Sequence, residues 1–241
     1  MQFMKKGRLL FPLFMFIIGI TGSNAQFPLE IKQILDPVKS GLSEKDAAAG
    51  IREALIKGTG EGVKIVSQLN GYLGNPQIKI PFPENARDIE TKLRALGFGS
   101  QVDEVVTSIN RAAEDAAKSA EQVFVSAING MSINDAINIV KGSNDAATRY
   151  LERTTTPELK VKFSPIIKTS LDKVDATRLW ADVINQYNQI PFIKKQNPDL
   201  VAYVTEKAIA GLFVMVAKEE ANIRKDPMAR TTELLKKVFG Q

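Results

Sequence analysis

The stretch from Ser100 to Gly130 reads SQVDEVVTSINRAAEDAAKSAEQVFVSAING. Val102, Val105, Ile109, Ala112, Ala113, Ala116, Ala120, Phe124 and Ala127 fall on one face at helical spacing. Ser100 with Asp103 gives a start signal, and Gly130 gives a stop. A stripe of alanines lets a neighbouring helix come close. The stretch therefore predicts a long central helix, to about Asn129, in an all-α fold.

Signals on both sides extend this reading. Upstream, Ser43 with Asp46 opens a helix from about 44 to 69, carrying Ala47, Ile51, Leu55, Gly62, Val66 and Leu69. Pro83 opens a second, with Ala86, Ile89, Leu93 and Leu96, and Gly97 stops it. Downstream, Ser132 with Asp135 starts a short helix that stops near Gly142. Ser143 or Asn144 caps another, through Ala147, Tyr150 and Leu151. Thr156-Pro157-Glu158 is a further start, and Pro165 should kink or divide the helix that follows. Asp175 and Asn197-Pro198-Asp199 open two more, and Asp226-Pro227 opens the last, with Leu234, Leu235, Val238 and Phe239. A short helix is also expected around Leu29 to Leu35. About ten helices result. Ala208 to Ala217 is apolar on all sides and should lie centrally. The one extended stretch, Ile78 to Pro83 within residues 71–83, carries two prolines and reads as a crossing loop. It follows Leu73-Gly74-Asn75-Pro76 in one irregular loop, whose Ile78, Ile80 and Phe82 either tuck under the body, or line a groove or dock on a partner.

The first 25 residues read as a cleavable signal peptide. Lys5, Lys6 and Arg8 precede an uncharged apolar run from Leu9 to Ile20, and Ser23-Asn24-Ala25 ends in small residues. Twelve residues fall short of the ~20 a membrane-spanning helix needs. Residues 26–42 then form a partly ordered segment, and residues 43–241 a single all-α domain, divisible into two subdomains. The expected destination is the periplasm of a Gram-negative bacterium, or else secretion.

Composition removes several chemistries. The chain has neither Cys nor His. Serine–histidine and cysteine–histidine catalysis are excluded, as is zinc bound by its usual nitrogen and sulfur ligands. Loss of the leader takes three of the five net positive charges, leaving +2. That is no footprint for nucleic acid. No EF-hand spacing is present, and no metal, cofactor or transmembrane span is expected in the exported chain.

The candidate site residues are polar groups within apolar helices. Arg111 and Glu114 are spaced to pair on one helix face. The alternative gathers Asn110, Arg111, Glu114, Arg149, Tyr150, Glu219 and Glu220 in a cleft for an anionic or sugar-like ligand. Ser143, Asn144 and Arg149 surround a helix start that can hold an anion, unless Asp145 already fills that place. Gly58-Thr59-Gly60-Glu61-Gly62 lacks the lysine and hydroxyl of a phosphate loop, and close helix packing explains it better. Glu219 and Glu220 are adjacent and point about 100° apart, so a hydrolase would need a second acid such as Glu114 or Glu206.

Five blocks in order carry a resemblance: SEKDAAAGIREAL (43–55), GYLGNPQIKIPFP (71–83), INRAAEDA (109–116), GSNDAATRYLE (142–152) and ARTTELLKKVFG (229–240). Together they resemble the domain of unknown function 4197 family. The resemblance implies an exported, helical protein of the Gram-negative envelope. It brings no catalytic residues to these positions. The leading expectation is a non-enzymatic envelope module that binds a partner or small ligand. A carboxylate-dependent glycan hydrolase and a carrier of an apolar ligand between helices are the alternatives.

Overall fold

The computed structural model describes residues 44–225, apart from 84, 85, 190, 193, 194, 196 and 198. Eight α-helices run in chain order among them: α1 (Glu44–Ser67), α2 (Arg87–Ala95), α3 (Gly99–Ala117), α4 (Ala120–Asn129), α5 (Ile133–Lys141), α6 (Ala146–Asp172), α7 (Ala176–Tyr187) and α8 (Leu200–Lys225). No strand is present among the described residues. The all-α class agrees with the sequence reading.

The count is lower than about ten for identifiable reasons. The helices expected near Leu29 and after Pro227 lie outside the described residues, as does the Ser43 cap. The two helices expected to start at Ser143 and Thr156 are one, since α6 runs through both Pro157 and Pro165. Each proline removes one backbone N–H from the helical ladder. The carbonyls left without that partner belong to Arg153 and Val161, and all four residues are exposed, so water can serve them. The long helix from Ser100 to Asn129 is broken instead at Lys118 and Ser119. There the Ser119 hydroxyl donates to the Ala116 carbonyl at 2.8 Å, competing with the helical bond.

Local start signals hold where geometry is short-range. Ser132 and Asp135 form the expected capping box, with Asp135 N–H donating to Ser132 Oγ at 3.0 Å. The side chain of Asp199 accepts from Ala202 N–H at 2.9 Å at the start of α8. Ser100 does not cap α3; its hydroxyl donates to Gln101, and Asp103 pairs with Arg94.

The main core joins α1, α3, α4, α6 and α8, with Phe124, Phe163, Ile109, Leu159, Ile167 and Leu212 buried within it. Ala112, Ala113, Ala116 and Ala117 are fully covered, as an alanine stripe at a close helix contact should be. A smaller cluster of Ala48, Ile51, Met131, Ala136, Ile139, Val140 and Ala147 joins α1, α5 and the start of α6. Helix α8 runs across α6 and α1. It is long and apolar enough to cross a membrane, but 56% of that window is buried in the fold. Ala210 and Val214 are exposed, so α8 is not covered on all sides as expected.

The glycines of α1 divide by environment. A Cβ on Gly58 would come within 2.9 Å of Ile223, and one on Gly62 within 3.5 Å of Val216, so these two face α8. A Cβ on Gly60 would meet nothing within 4 Å. Gly60 instead floors an open groove of 480 Å³ whose walls include Lys57, Lys64 and Lys118. Close helix packing therefore accounts for Gly58 and Gly62 but not for Gly60.

Candidate functional site

The connection from α1 to α2 leaves the helix at Gln68 and crosses beneath α3 and α8. Ile78, Ile80 and Phe82 are buried, while Gln77, Lys79 and Pro81 point outward. The apolar alternation therefore tucks under the body. Phe82 packs edge-on against Trp180, with ring centroids 5.2 Å apart.

The polar residues of α3 hold this connection in place. Asn110 is fully buried. Its Oδ1 accepts from Ile80 N–H at 2.8 Å, and its Nδ2 donates to the Ile80 carbonyl at 2.8 Å. One side chain thus does for Ile80 what a neighbouring strand would do. Glu114 is 4% exposed, and its Oε1 accepts from the N–H groups of Tyr72 and Leu73, each at 3.1 Å. Arg111 donates to the other oxygen of Glu114 at 2.6 Å and to Asn70 Oδ1 at 2.8 Å. The expected Arg111–Glu114 pair is present, but it is a prop for the loop and its acid is buried.

Tyr72 is the loop's main anchor. Its ring is buried, and its hydroxyl donates to the Ala208 carbonyl at 2.6 Å. Burial, with the nearby Glu114 charge, pushes this phenol well above its usual range, so it stays a neutral donor. A Cβ on Gly211 would lie 2.8 Å from the Tyr72 ring, which is why α8 carries a glycine there. A Cβ on Gly71 would lie 2.5 Å from the carbonyl oxygens of Ile65 and Val66.

Backbone accounting completes the picture. From Gly71 to Ile80 every N–H has an acceptor, Pro76 having none to give. The acceptors are loop carbonyls, Asn75 Oδ1, Glu114 and Asn110. A stretch whose backbone donors from Gly71 to Ile80 are all met, with four buried polar attachments, is firmly held. Beside it lies an open bowl of 320 Å³, lined by Gln68, Leu69, Asn70, Gly74, Asn75 and Pro76 among others. Leu69 is 75% exposed at its edge.

The remaining candidates sit elsewhere. Glu220 is buried, and it accepts from Ala147 N–H at 3.1 Å, from Thr148 N–H at 2.9 Å and from the Thr148 hydroxyl at 2.7 Å. Arg224 donates to the same carboxylate at 2.8 Å and to the Ile139 carbonyl at 3.0 Å. The N–H groups at the start of α6, expected to be open to an anion or filled by Asp145, are occupied by the chain's own Glu220. Asp145 instead accepts from Ser143 at 2.6 Å and pairs with the exposed Arg149. Asn144 is exposed. Tyr150 is half-buried and lies against Arg153, whose guanidinium sits 5.7 Å from its ring. Burial raises the Tyr150 phenol. Glu219 accepts from Asn222, and Glu206 pairs with Lys160 at the surface.

The single cleft drawn from sequence is therefore not formed. Asn110, Arg111 and Glu114 serve the loop; Glu220 serves the start of α6; Arg149 and Glu219 are bound to local partners. Among the described residues no three or more carboxylates gather as a metal site would require. Sequence reasoning missed the bowl residues Gln68 and Asn70 and the buried anchor Tyr72. The signal available was the pair of loop glycines, Gly71 and Gly74, bracketing a tyrosine and a leucine.

A family model described as "Protein of unknown function (DUF4197)" matches residues 41–240 of the chain. Neither the curated proteins nor the solved structures give a match.

Proposed function

This chain belongs to the DUF4197 family of proteins of unknown function, and from that premise we propose that it is a non-enzymatic interaction module of the bacterial envelope. Its leader would direct export, and the pinned loop from Gln68 to Pro76 would be its recognition surface. The observation that carries this reading is the complete satisfaction of backbone donors from Gly71 to Ile80. Gly74 and Gln77 are exposed, and there water could meet the donors without such rigidity. Binding benefits from it, because a loop already held in shape loses little freedom when it meets a ligand. Exposed loops on rigid scaffolds are where binding residues concentrate.

The hydrolase alternative finds less support. It needs two available carboxylates across a cleft. Glu114 and Glu220 have their oxygens occupied by backbone N–H groups and arginines.

The test is a photocrosslinker, p-benzoylphenylalanine, placed at position 69 and separately at position 161, in the chain expressed in its own host. Both positions are more than 70% exposed, so accessibility is matched. Adducts specific to position 69 are expected. Adducts at neither position, or equally at both, would overturn the loop as recognition surface. N-terminal sequencing of the exported form should begin at Gln26; an intact Met1 in the periplasmic fraction would refute cleavage.

A further inference from the structure

We infer that the bowl beside the end of α1 takes an uncharged sugar ring, an inference that rests on the loop being the recognition surface.

Charge is the first ground. None of the residues lining the bowl is ionisable. Arg111, the nearest guanidinium attached to the loop, is engaged by Glu114 and Asn70. A charged ligand entering here would lose water and gain no counter-charge, which is costly. An uncharged ligand avoids that cost.

Hydrogen-bonding capacity is the second. Gln68, Asn70 and Asn75 contribute side-chain amides; the oxygens of Asn70 and Asn75 already accept from Arg111 and Gln77 and keep one lone pair each, while Gln68 offers both donors and an acceptor. Gln68 is exposed. Asn75 Nδ2 has only the Met215 sulfur as partner, at 3.6 Å, and a thioether is a weak acceptor. Groups that both give and accept suit hydroxyls, which also do both. Leu69, Ile65 and Pro76 add apolar surface for the C–H face of a ring.

The backbone separates a sugar from a peptide. An extended peptide binds by pairing with a row of free N–H and C=O groups. No N–H from Gly71 to Ile80 remains for such a row. That favours recognition through scattered side-chain amides, which fit a polyhydroxylated ring. The volume of 320 Å³ lies at the low end of small-ligand sites, roughly 300–1,000 Å³.

The experiment titrates the isotope-labelled exported chain with N,N′-diacetylchitobiose, with trialanine and with inorganic phosphate, followed by amide chemical shifts. The inference expects saturable shifts with the disaccharide, centred on residues 68–76 and on the side-chain amides of Gln68 and Asn75. Leu69→Asp and Gln68→Ala should each weaken binding by about tenfold, whereas Val161→Asp leaves it unchanged. Circular dichroism identifies a variant that fails to fold, and the second variant then decides. Shifts with trialanine or phosphate alone would overturn the sugar and leave the recognition surface standing. No shift with any probe, while position 69 still forms specific adducts, would overturn the sugar alone. No shift and no adducts would overturn both.

Discussion

Thr148 gives both its backbone N–H and its hydroxyl to a single oxygen of Glu220, at 2.9 Å and 2.7 Å, across 72 residues of chain. The helix α6 is thus capped by a carboxylate from α8. A negative charge there also meets the positive end of the helix dipole. Removing it leaves three donors without an acceptor and Arg224 without its partner. Glu220→Ala should lower the stability of the chain by about 3–5 kcal/mol, the cost of breaking a buried pair. Denaturant unfolding of the variant against the parent measures it. A loss below about 1 kcal/mol would mean that water replaces the carboxylate without cost.

Asn110 should be as critical for the loop. Asn110→Ala leaves the N–H and carbonyl of Ile80 buried and unpaired, each costing about 1–3 kcal/mol. Native-state hydrogen exchange should show the Ile80 amide losing its protection, with the centre of α6 changing only by the global difference. Unchanged protection at Ile80 would contradict the proposed pin.

Two glycines should respond with opposite signs. Gly60→Ala places a methyl in open space within a helix and should stabilise the chain by about 0.5–1 kcal/mol. Gly211→Ala drives a methyl to 2.8 Å from the Tyr72 ring and 3.1 Å from Ile78 Cβ. It should destabilise by about 1–3 kcal/mol, the usual cost of overpacking. Thermal unfolding of the two variants beside the parent decides, and a shared sign would refute the assignment of their environments.

Acid sensitivity follows from two helix starts. The Ser132 hydroxyl and N–H hold Asp135 below the usual carboxylate range. The Ser143 hydroxyl, helped by Arg149, does the same for Asp145. A depressed folded pKa gives stability that is full above the unfolded value, about 3.9, and lost as pH falls through the folded one. The denaturation midpoint should be level above about pH 5 and fall below about pH 4. Asp135→Asn should flatten part of that fall. An identical slope in the variant would count against the capping box as its source.

Much of the helical order was legible because its signals are local. The Ser132–Asp135 box needs only four residues, and the spacing from Val102 to Ala117 needs only one helix. What proved illegible depends on packing. Pro157 and Pro165 look like helix starts or breaks until one knows that both lie on the outside of α6. Glu114 and Glu220 were recognisable as acids in apolar helices. Arg111 and Arg224 pair with them from one turn away, but their other partners include backbone N–H groups 41–42 and 72–73 residues away. A sequence does not display which backbone donors lack an acceptor, so it suggested one polar cleft where the fold builds two separate props. Gln68 and Asn70, on the α1 side of the bowl, escaped notice because neither carries a charge.

The tucked segment from Ile78 to Phe82 has a consequence for how the protein behaves in a crowd. Apart from its prolines, an alternating run of Ile, Ile and Phe resembles the segments that template cross-β stacking between chains. Here Asn110 occupies the N–H and carbonyl of Ile80, Tyr203 donates to the Pro81 carbonyl at 3.2 Å, and two prolines interrupt the donor row. The stretch is therefore kept from pairing by Asn110, Tyr203 and its own prolines, and variants of Asn110, which free both backbone groups of Ile80, should precipitate on storage before they lose their helices.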